Sequence, residues 1–526
     1  MPKITLNGAE VEFEEGQTVI EVTTESELTV PHYCWHPAIP VVASCRICQV
    51  EVHGPGPKRL VTACNTPAVD GMVVVTESDA VSKARAGNLE GLLLNHPLDC
   101  PICDKAGECW LQDYTYEYGA STGRNDFPRR KLEKRKDISE HVLLDQERCI
   151  LCTRCVRFLD DFAKKPELVV TSRGERSTID IFPGQKVSSE YQGNLADICP
   201  VGALTLKEFR FVNRVWYLRG TESVCPSCSK GCSITLDIRD NELNRVRPRT
   251  NRDVNGWFIC DTGRFGLLDA YHPDDRLEQV MVDGEETTLA TAADALATRL
   301  KDTAKADGDV LVLASPDATN EEMFLLSRVL SDADLGGKPT LAFAKVESGD
   351  GDGILQTGEP AANVSGLRFQ KVEELGAQAL KNRVEKAKLV WVLDARVGAS
   401  VITATRPETL VIQAVTSTLA DGADVVLPGS TVGEKEGTLT NVDDRLQRIR
   451  PGLRAPATVP GDFAVLLAVG EALGVGDLPR TPGEAFMAWA DTIATDGDSS
   501  LTLAALPNNG LPRGEAAAMA TEEADA

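Results

Sequence analysis

The sequence predicts a multidomain protein of mixed fold class, with small α+β modules in its first half and an α/β domain in its second. Three observations predict this. All fifteen cysteines of the 526 residues lie between Cys34 and Cys260. The first residues alternate apolar and polar on either side of an Asn-Gly pair. After about Asp274, short apolar runs alternate with segments of helical period. Composition sets the outer bounds. A chain of this length holds several domains with real cores, and 42% hydrophobic residues exclude disorder for most of it. A net charge of −24 argues against a nucleic-acid-binding surface, which needs clustered positive charge. No apolar run reaches the ~18 residues of a membrane-spanning helix. Met1-Pro2-Lys3-Ile4-Thr5-Leu6 has neither the charged head nor the apolar middle of a signal peptide, and it lacks the Arg and Ser of a transit peptide. A cytosolic protein is expected.

At the front, Ile4 and Leu6 alternate, Asn7-Gly8 makes a hairpin turn, and Val11 and Phe13 alternate back. Gln17 to Glu27 reads as a short helix. This lead-in predicts a β-grasp, ferredoxin-like module over residues 1–80. It carries Cys34, Cys45, Cys48 and Cys64, spaced C-x10-C-x2-C-x15-C. The pattern is close to the plant-type [2Fe–2S] ligand run, which begins C-x4-C-x2-C, but it opens with a longer first gap. Gly54-Pro55-Gly56-Pro57 reads as a turn rather than a phosphate cradle, and no P-loop or GxGxxG motif occurs.

Three more cysteine groups follow. Cys100, Cys103 and Cys109 form C-x2-C-x5-C behind His96. Cys149, Cys152 and Cys155 form C-x2-C-x2-C, completed by Cys199-Pro200 after 43 residues. A two-cluster ferredoxin leaves only three residues there, so an insertion or a single-cluster use is expected. Cys225, Cys228 and Cys232 form C-x2-C-x3-C, with Cys260 as a distant fourth. No cysteine is left over, and an odd total in a cytosolic chain argues against a disulfide scaffold. A C-x2-C turn aims two thiolates at one centre, a third cysteine wraps one side of a cubic cluster, and a distant fourth closes it. In the second group, His96 is the natural fourth ligand of an otherwise incomplete set. The competing reading of His96 is a surface or capping residue. Zinc is the competing metal for all four groups, but it usually takes cysteines in pairs, which makes triples in series a better match to iron and sulfide.

The basic run Pro128-Arg129-Arg130-Lys131-Leu132-Glu133-Lys134-Arg135-Lys136 is read as a solvated loop linking two cluster modules, in preference to a docking stripe for an acidic partner. Beyond Asp274, 309–314, 389–394, 409–412 and 423–428 read as strands and 320–330 as a helix, which predicts a parallel sheet. Residues 346–358 read as looser, and 498–526 as a flexible acidic tail.

Taken together, Pro31-His32-Tyr33-Cys34, Cys45-Arg46-Ile47-Cys48, the stretch from His96 to Cys109, Cys149 to Cys155 and Asp197-Ile198-Cys199-Pro200-Val201-Gly202-Ala203-Leu204 resemble a known family. It is the family of large iron–sulfur subunits in the peripheral arm of bacterial NADH-quinone oxidoreductases (respiratory complex I). The resemblance is strong over residues 1 to about 270. It implies a [2Fe–2S] cluster on Cys34, Cys45, Cys48 and Cys64. It implies three [4Fe–4S] clusters: on His96, Cys100, Cys103 and Cys109; on Cys149, Cys152, Cys155 and Cys199; and on Cys225, Cys228, Cys232 and Cys260. The last occurs only in some members and is thought to lie off the main electron path. The implied role is an electron relay from a flavin-bearing, NADH-oxidising subunit toward quinone, with no catalytic residues of its own. The implied partners are that subunit, a small [2Fe–2S] subunit and quinone-side subunits. The implied location is peripheral, on the cytoplasmic side of the inner membrane, with no contact to nucleic acid.

The resemblance divides the chain into 1–80, 81–120, 121–217, a molybdopterin-oxidoreductase-type [4Fe–4S] domain over 218–274, an α/β scaffold over 275–497, and the tail. Leu427-Pro428-Gly429, Glu434, Glu436-Gly437-Thr438 and Asn441 resemble a segment of the molybdopterin oxidoreductases. The half is short for a cofactor-enclosing fold, so no molybdopterin is expected. The alternative functions are the cluster-bearing subunit of an NAD-linked formate dehydrogenase or hydrogenase, and, outside redox chemistry, a zinc-stapled scaffold.

Overall fold

The N-terminal hairpin forms as its alternation predicts. In the computed structural model, which describes residues 1–53, 57–124, 126–337, 339–346, 349–393, 399–493 and 501–515, β1 (Lys3–Leu6) pairs antiparallel with β2 (Ala9–Glu12). Asn7 and Gly8 take the left-handed backbone the turn requires, at φ 50° and 91°. The helix α1 (Val19–Glu25) is shorter than the 17–27 expected. Thr18 and Glu21 close a capping box at its start, and Glu27 turns left-handed just past its end. β3 (Gln49–His53), β4 (Arg59–Thr62) and β5 (Val73–Val75) complete a five-stranded sheet in the order β2-β1-β5-β3-β4, with β1 and β5 parallel. This is the β-grasp. Ile4, Leu6, Val19, Ile20, Val50 and Val74 fill its core. Residues 54–56 of the expected turn, the end of the strand at Asp394, residues 347–348 of the looser stretch, and 498–500 with 516–526 of the acidic tail lie outside the described residues.

Two helices follow, α2 (Asp79–Leu93) and α3 (Trp110–Tyr118). β6 (Lys136–Asp137), β7 (Val142–Leu144), the one-turn α4 (Arg154–Arg157), the hairpin of β8 (Val169–Thr171) and β9 (Thr178–Asp180), α5 (Asn194–Ile198) and β10 (Leu204–Leu206) then surround the third cysteine group. β10, β7 and β6 form one antiparallel sheet. These elements belong to a first unit, Met1–Leu218; Arg219–Ala526 form a second.

The second unit opens with an antiparallel sheet of β11 (Arg219–Val224), β12 (Ser233–Arg239) and β13 (Glu242–Pro248), followed by α6 (Asp261–Ala270). Then come β14 (Met281–Val282), β15 (Glu285–Glu286), α7 (Leu289–Lys305), β16 (Asp309–Leu313), α8 (Asn320–Asp332), β17 (Thr340–Ala344), α9 (Val364–Phe369), β18 (Glu373–Leu375), α10 (Ala377–Lys386), β19 (Ala387–Leu393), α11 (Ala399–Thr405), β20 (Thr409–Ala414) and β21 (Val425–Pro428). They build an eight-stranded sheet in the order β15-β14-β21-β20-β19-β16-β17-β18. β16 to β21 run parallel, while β14 adds an antiparallel edge that the sequence pattern did not reveal.

The apolar runs are unbroken because the parallel sheet is covered on both faces. Val312, Leu389, Trp391 and Val411 face α7, α8 and a later helix, whereas Leu313, Val390, Val392 and Ile412 face α10 and α11. β17 escaped the sequence reading because Thr340-Leu341-Ala342-Phe343-Ala344 lacks a β-branched run, and β18 because it has only three residues. The strand expected over 423–428 begins at Val425. A small sheet of β22 (Gly437–Thr440), β23 (Arg445–Ile449) and β24 (Leu511–Pro512), with α12 (Asp462–Leu473) and α13 (Pro482–Ile493), completes the unit.

Candidate metal centres

All fifteen cysteines are free thiols. In the first set, Cys34 and Cys64 are fully buried and Cys48 nearly so. Cys48 stands just before β3 and Cys64 just after β4, so pairing of the two strands brings them together; Ala63 N donates to Cys48 O at 3.0 Å. The loop bearing Cys45 wraps back through left-handed residues Ala43 and Arg46. Cys34 N donates to Cys45 Sγ at 3.4 Å. The Cys34 thiol is within hydrogen-bond reach of those of Cys45 and Cys64, and Cys48 joins through Cys64. Those contacts hold Cys34 and Cys48 below the ordinary thiol range and push Cys45 and Cys64 above it.

The third set is the most enclosed. Leu151 and Thr153 are left-handed, which turns the chain tightly enough to aim Cys149, Cys152 and Cys155 inward. Cys199 caps the end of α5. All four sulfurs line one cavity, walled by Leu144, Ile179, Val201 and Leu204 among others. Burial pushes Cys149 up to about 12 and Cys152 to about 11, and Cys155 also rises well above the usual range. In this apolar wall a thiolate needs a positive centre, which a metal would supply if bound.

In the second set, His96, Cys100 and Cys109 line a cavity of about 360 Å³. His96 Nδ1 is buried and has no hydrogen-bond partner. Burial, followed by the charge of Arg148, holds the imidazole at about 4, so it is neutral and able to ligate. An orphaned ring nitrogen beside two cysteines fits a metal-bound group, whereas a surface or capping histidine would have water or backbone to satisfy it. Cys103 does not line this cavity; its sulfur packs against Gly202, although it stays an electrostatic neighbour of Cys100 and Cys109.

The basic run does not behave as a free solvated loop. Arg129 Nε donates to His96 O at 2.9 Å, and Lys134 Nζ bonds Asp99 Oδ2 at 2.5 Å and Glu147 at 2.7 Å. The buried Glu147, the half-buried Asp99 and a backbone carbonyl on the loops flanking two cysteine groups hold these cations, and charge pattern alone could not show that.

The fourth set lies in the second unit. Cys225 N donates to Cys232 O at 2.8 Å, and Cys260 caps α6, its sulfur accepting from Gly263 N at 3.4 Å. A Cβ on Gly263 would stand 2.7 Å from Cys225 Sγ. Burial raises Cys225 to about 11 and Cys260 to about 12. Among the described residues, no three or more His, Cys, Asp or Glu side chains converge as they would on a single metal ion.

Sequence reasoning missed several residues that build these sites. Arg157 Nη2 donates to Cys34 O at 2.6 Å and to Cys152 O at 3.0 Å, joining the first and third sets. Trp110 N donates to Pro200 O at 3.1 Å, joining the second and third. The two arginines inside Cys152-Thr153-Arg154-Cys155-Val156-Arg157 were the available signal.

Five family models match. Residues 2–79 match a 2Fe-2S iron-sulfur cluster binding domain, 85–124 the NADH-ubiquinone oxidoreductase-G iron-sulfur binding region, and 139–205 the ferredoxin-like domain of NADH-quinone oxidoreductase subunit 3. Residues 218–272 match the molybdopterin oxidoreductase Fe4S4 domain and 335–472 molybdopterin oxidoreductase. The G subunit of the NADH-quinone oxidoreductase of Rickettsia bellii is 37% identical over 332 residues, covering 63% of this chain and 48% of that protein. The NADH-ubiquinone oxidoreductase 75 kDa subunit of Reclinomonas americana is 42% identical over 265 residues, covering 50% and 38%. A solved chain of an NAD+-reducing [NiFe]-hydrogenase is 32% identical, covers 41% of this chain and 91% of that one, and has a TM-score of 0.36. The match thus spans less than half the length of these two curated relatives. Over its matched iron–sulfur regions the chain is similar to the G subunits of NADH-quinone oxidoreductases.

Proposed function

We propose that this chain is the electron-relay iron–sulfur subunit of a bacterial NADH:quinone oxidoreductase, passing electrons singly from the flavin-bearing, NADH-oxidising subunit toward quinone, coupled in the whole complex to proton translocation. The observation that carries the reading is the approach of largely buried cysteines far apart in sequence, above all Cys149, Cys152, Cys155 and Cys199 around one cavity, with the first three groups linked within one unit by Arg157 and by the Trp110–Pro200 backbone bond. The proposed contents are one [2Fe–2S] cluster on Cys34, Cys45, Cys48 and Cys64, and three [4Fe–4S] clusters on the His96, Cys149 and Cys225 sets. Such clusters, when bound, take up and release one electron at a time. The chain's own groups provide the sites: buried thiols exchange a proton for iron, apolar walls exclude water, and backbone bonds hold neighbouring loops in fixed relation. His96 supplies a neutral imidazole in place of a thiolate, which leaves its site one negative charge lighter and favours the reduced state.

The division at 80, 120, 217, 274 and 497 is part of the same proposal. We read the α/β half as a scaffold without molybdopterin. In support, polar side chains buried beside β22 satisfy one another: Glu321 accepts from Thr438 N at 2.7 Å, and Asn320 donates to Thr440 Oγ1 at 3.1 Å. No helix among the described residues is long and apolar enough to cross a membrane, which agrees with attachment to the cytoplasmic face of the inner membrane through partner subunits. Those partners are the flavin-bearing subunit, a small [2Fe–2S] subunit and quinone-side subunits. The formate dehydrogenase or hydrogenase alternative has less support, since the relatives at 37% and 42% identity are named as complex I subunits.

Iron and sulfide analysis with low-temperature paramagnetic resonance on the anaerobically purified chain tests the proposal. The expected spectrum holds one [2Fe–2S] and three [4Fe–4S] signals. A colourless, zinc-loaded protein would end it.

A further inference from the structure

Arg154 is among the largest fully buried side chains of the protein, 2% exposed. Its guanidinium lies 4.6 Å from the centre of the Trp110 ring, donates from Nη1 to Ile198 O at 3.3 Å, and donates from Nη2 to Trp35 O. These contacts place it between the segment after Cys34 and the segment before Cys199. Among the described residues no carboxylate pairs with it, and its Nε is buried without a partner. The thiols nearest it electrostatically are those of Cys152 and Cys199, then Cys45 and Cys34, which would carry negative charge only as thiolate ligands of a bound cluster. Its neighbour Arg157, by contrast, is only part-buried and has Asp161 as an added counter-charge. The two imidazoles that face Arg154, His32 and His36, are held neutral by burial and supply no negative charge.

A guanidinium does not lose its proton in a protein, and an unpaired buried charge costs several kcal/mol unless an anion offsets it. Here the available anions belong to two different ligand sets. A cluster's potential depends on net charge and on nearby donors, and a fixed cation close to it favours the reduced state.

We propose that Arg154 is a shared counter-charge for the first and third ligand sets, a positioning residue that raises the reduction potentials of both clusters together. The inference rests on the cluster reading above and deepens it. One buried cation facing two redox centres shifts both potentials in the same direction.

The test is a potentiometric titration, followed by paramagnetic resonance, of the full chain and of the R154Q and R154K variants. Removing the charge in R154Q is expected to lower both midpoints. At a fixed poise the oxidised-to-reduced ratio of each cluster should rise about tenfold, which is 59 mV for a one-electron couple. R154K keeps the charge but not the planar double contact with the two carbonyls, and both of its midpoints should stay at the wild-type values. Loaded clusters with unmoved midpoints in R154Q, or movement of only one, would overturn the proposal. If R154Q fails to load, R154K decides: wild-type midpoints support the charge, and shifted ones overturn it. Loss of both clusters in R154K as well would show that the carbonyl contacts matter rather than the charge, and would overturn it too. Iron-free wild-type protein would instead remove the cluster reading itself.

Discussion

A methyl group at Gly202 would overlap the sulfur of Cys103. The two residues belong to different ligand sets, since Gly202 follows Cys199 by three positions. The turn after Cys199-Pro200 therefore serves the third set with its cysteine and the second set with its missing side chain. Gly202→Ala should displace Cys103 and remove the signal of the His96 set, leaving the Cys34 signal in place. Iron content should fall by about four atoms per chain. Unchanged iron and an unchanged spectrum in G202A would mean that Cys103 is not a ligand.

The orphaned Nδ1 of His96 leads to a second expectation. His96→Ala should lose one [4Fe–4S] signal, whereas His96→Cys should keep a cluster of lower potential, because a thiolate adds a negative charge to the site. Redox titration of both variants checks this. A histidine that only capped a loop would leave the spectrum of H96A intact.

Cys149 and Cys228 are expected to differ in consequence. Cys149→Ser opens the enclosed set that Arg157 and the Trp110–Pro200 bond tie to its neighbours, and should abolish electron flow from NADH to quinone in the assembled complex. Cys228→Ser should delete one signal and leave most of that flow. Full activity in C149S, or none in a correctly assembled C228S, would reverse the assignment of the path.

Glu321 supplies a pH dependence. Burial raises its carboxyl from 4.5 to about 7, against the opposing hydrogen bonds from Thr438. The folded value lies above the unfolded one, so the stability tied to this group is complete below about pH 4.5 and is lost as pH rises through about 7. The loss is at most about 3 kcal/mol. Glu322 moves in the same direction by burial, though Lys435 beside it works the other way. Calorimetry of the full chain should show a transition that weakens between pH 5 and 8 in the wild type and weakens less in Glu321→Gln. Equal slopes in the two proteins would rule the group out.

Local order was legible in the residues themselves. The Asn7-Gly8 hairpin, the helix beginning near Asn320 and the apolar runs at 309–313 and 389–393 each follow from short-range preferences and from burial on one or two faces. The four cysteine groups were legible as patterns for a similar reason, since a C-x2-C turn is a local object and the chemistry of thiols in series is narrow. The short β17, the antiparallel edge at β14 and the pairing of Lys134 with Glu147 were not, because each depends on residues far away in the chain. Composition and spacing alone thus determined the class of chemistry and the two kinds of domain. Tertiary structure alone decided that Arg157 joins two ligand sets, that Gly202 makes room for Cys103, and that Arg154 is buried where its strongest counter-charges are thiols. These features are matters of distance between segments up to more than a hundred residues apart, and such distances are set by how the packed cores close, not by any local pattern.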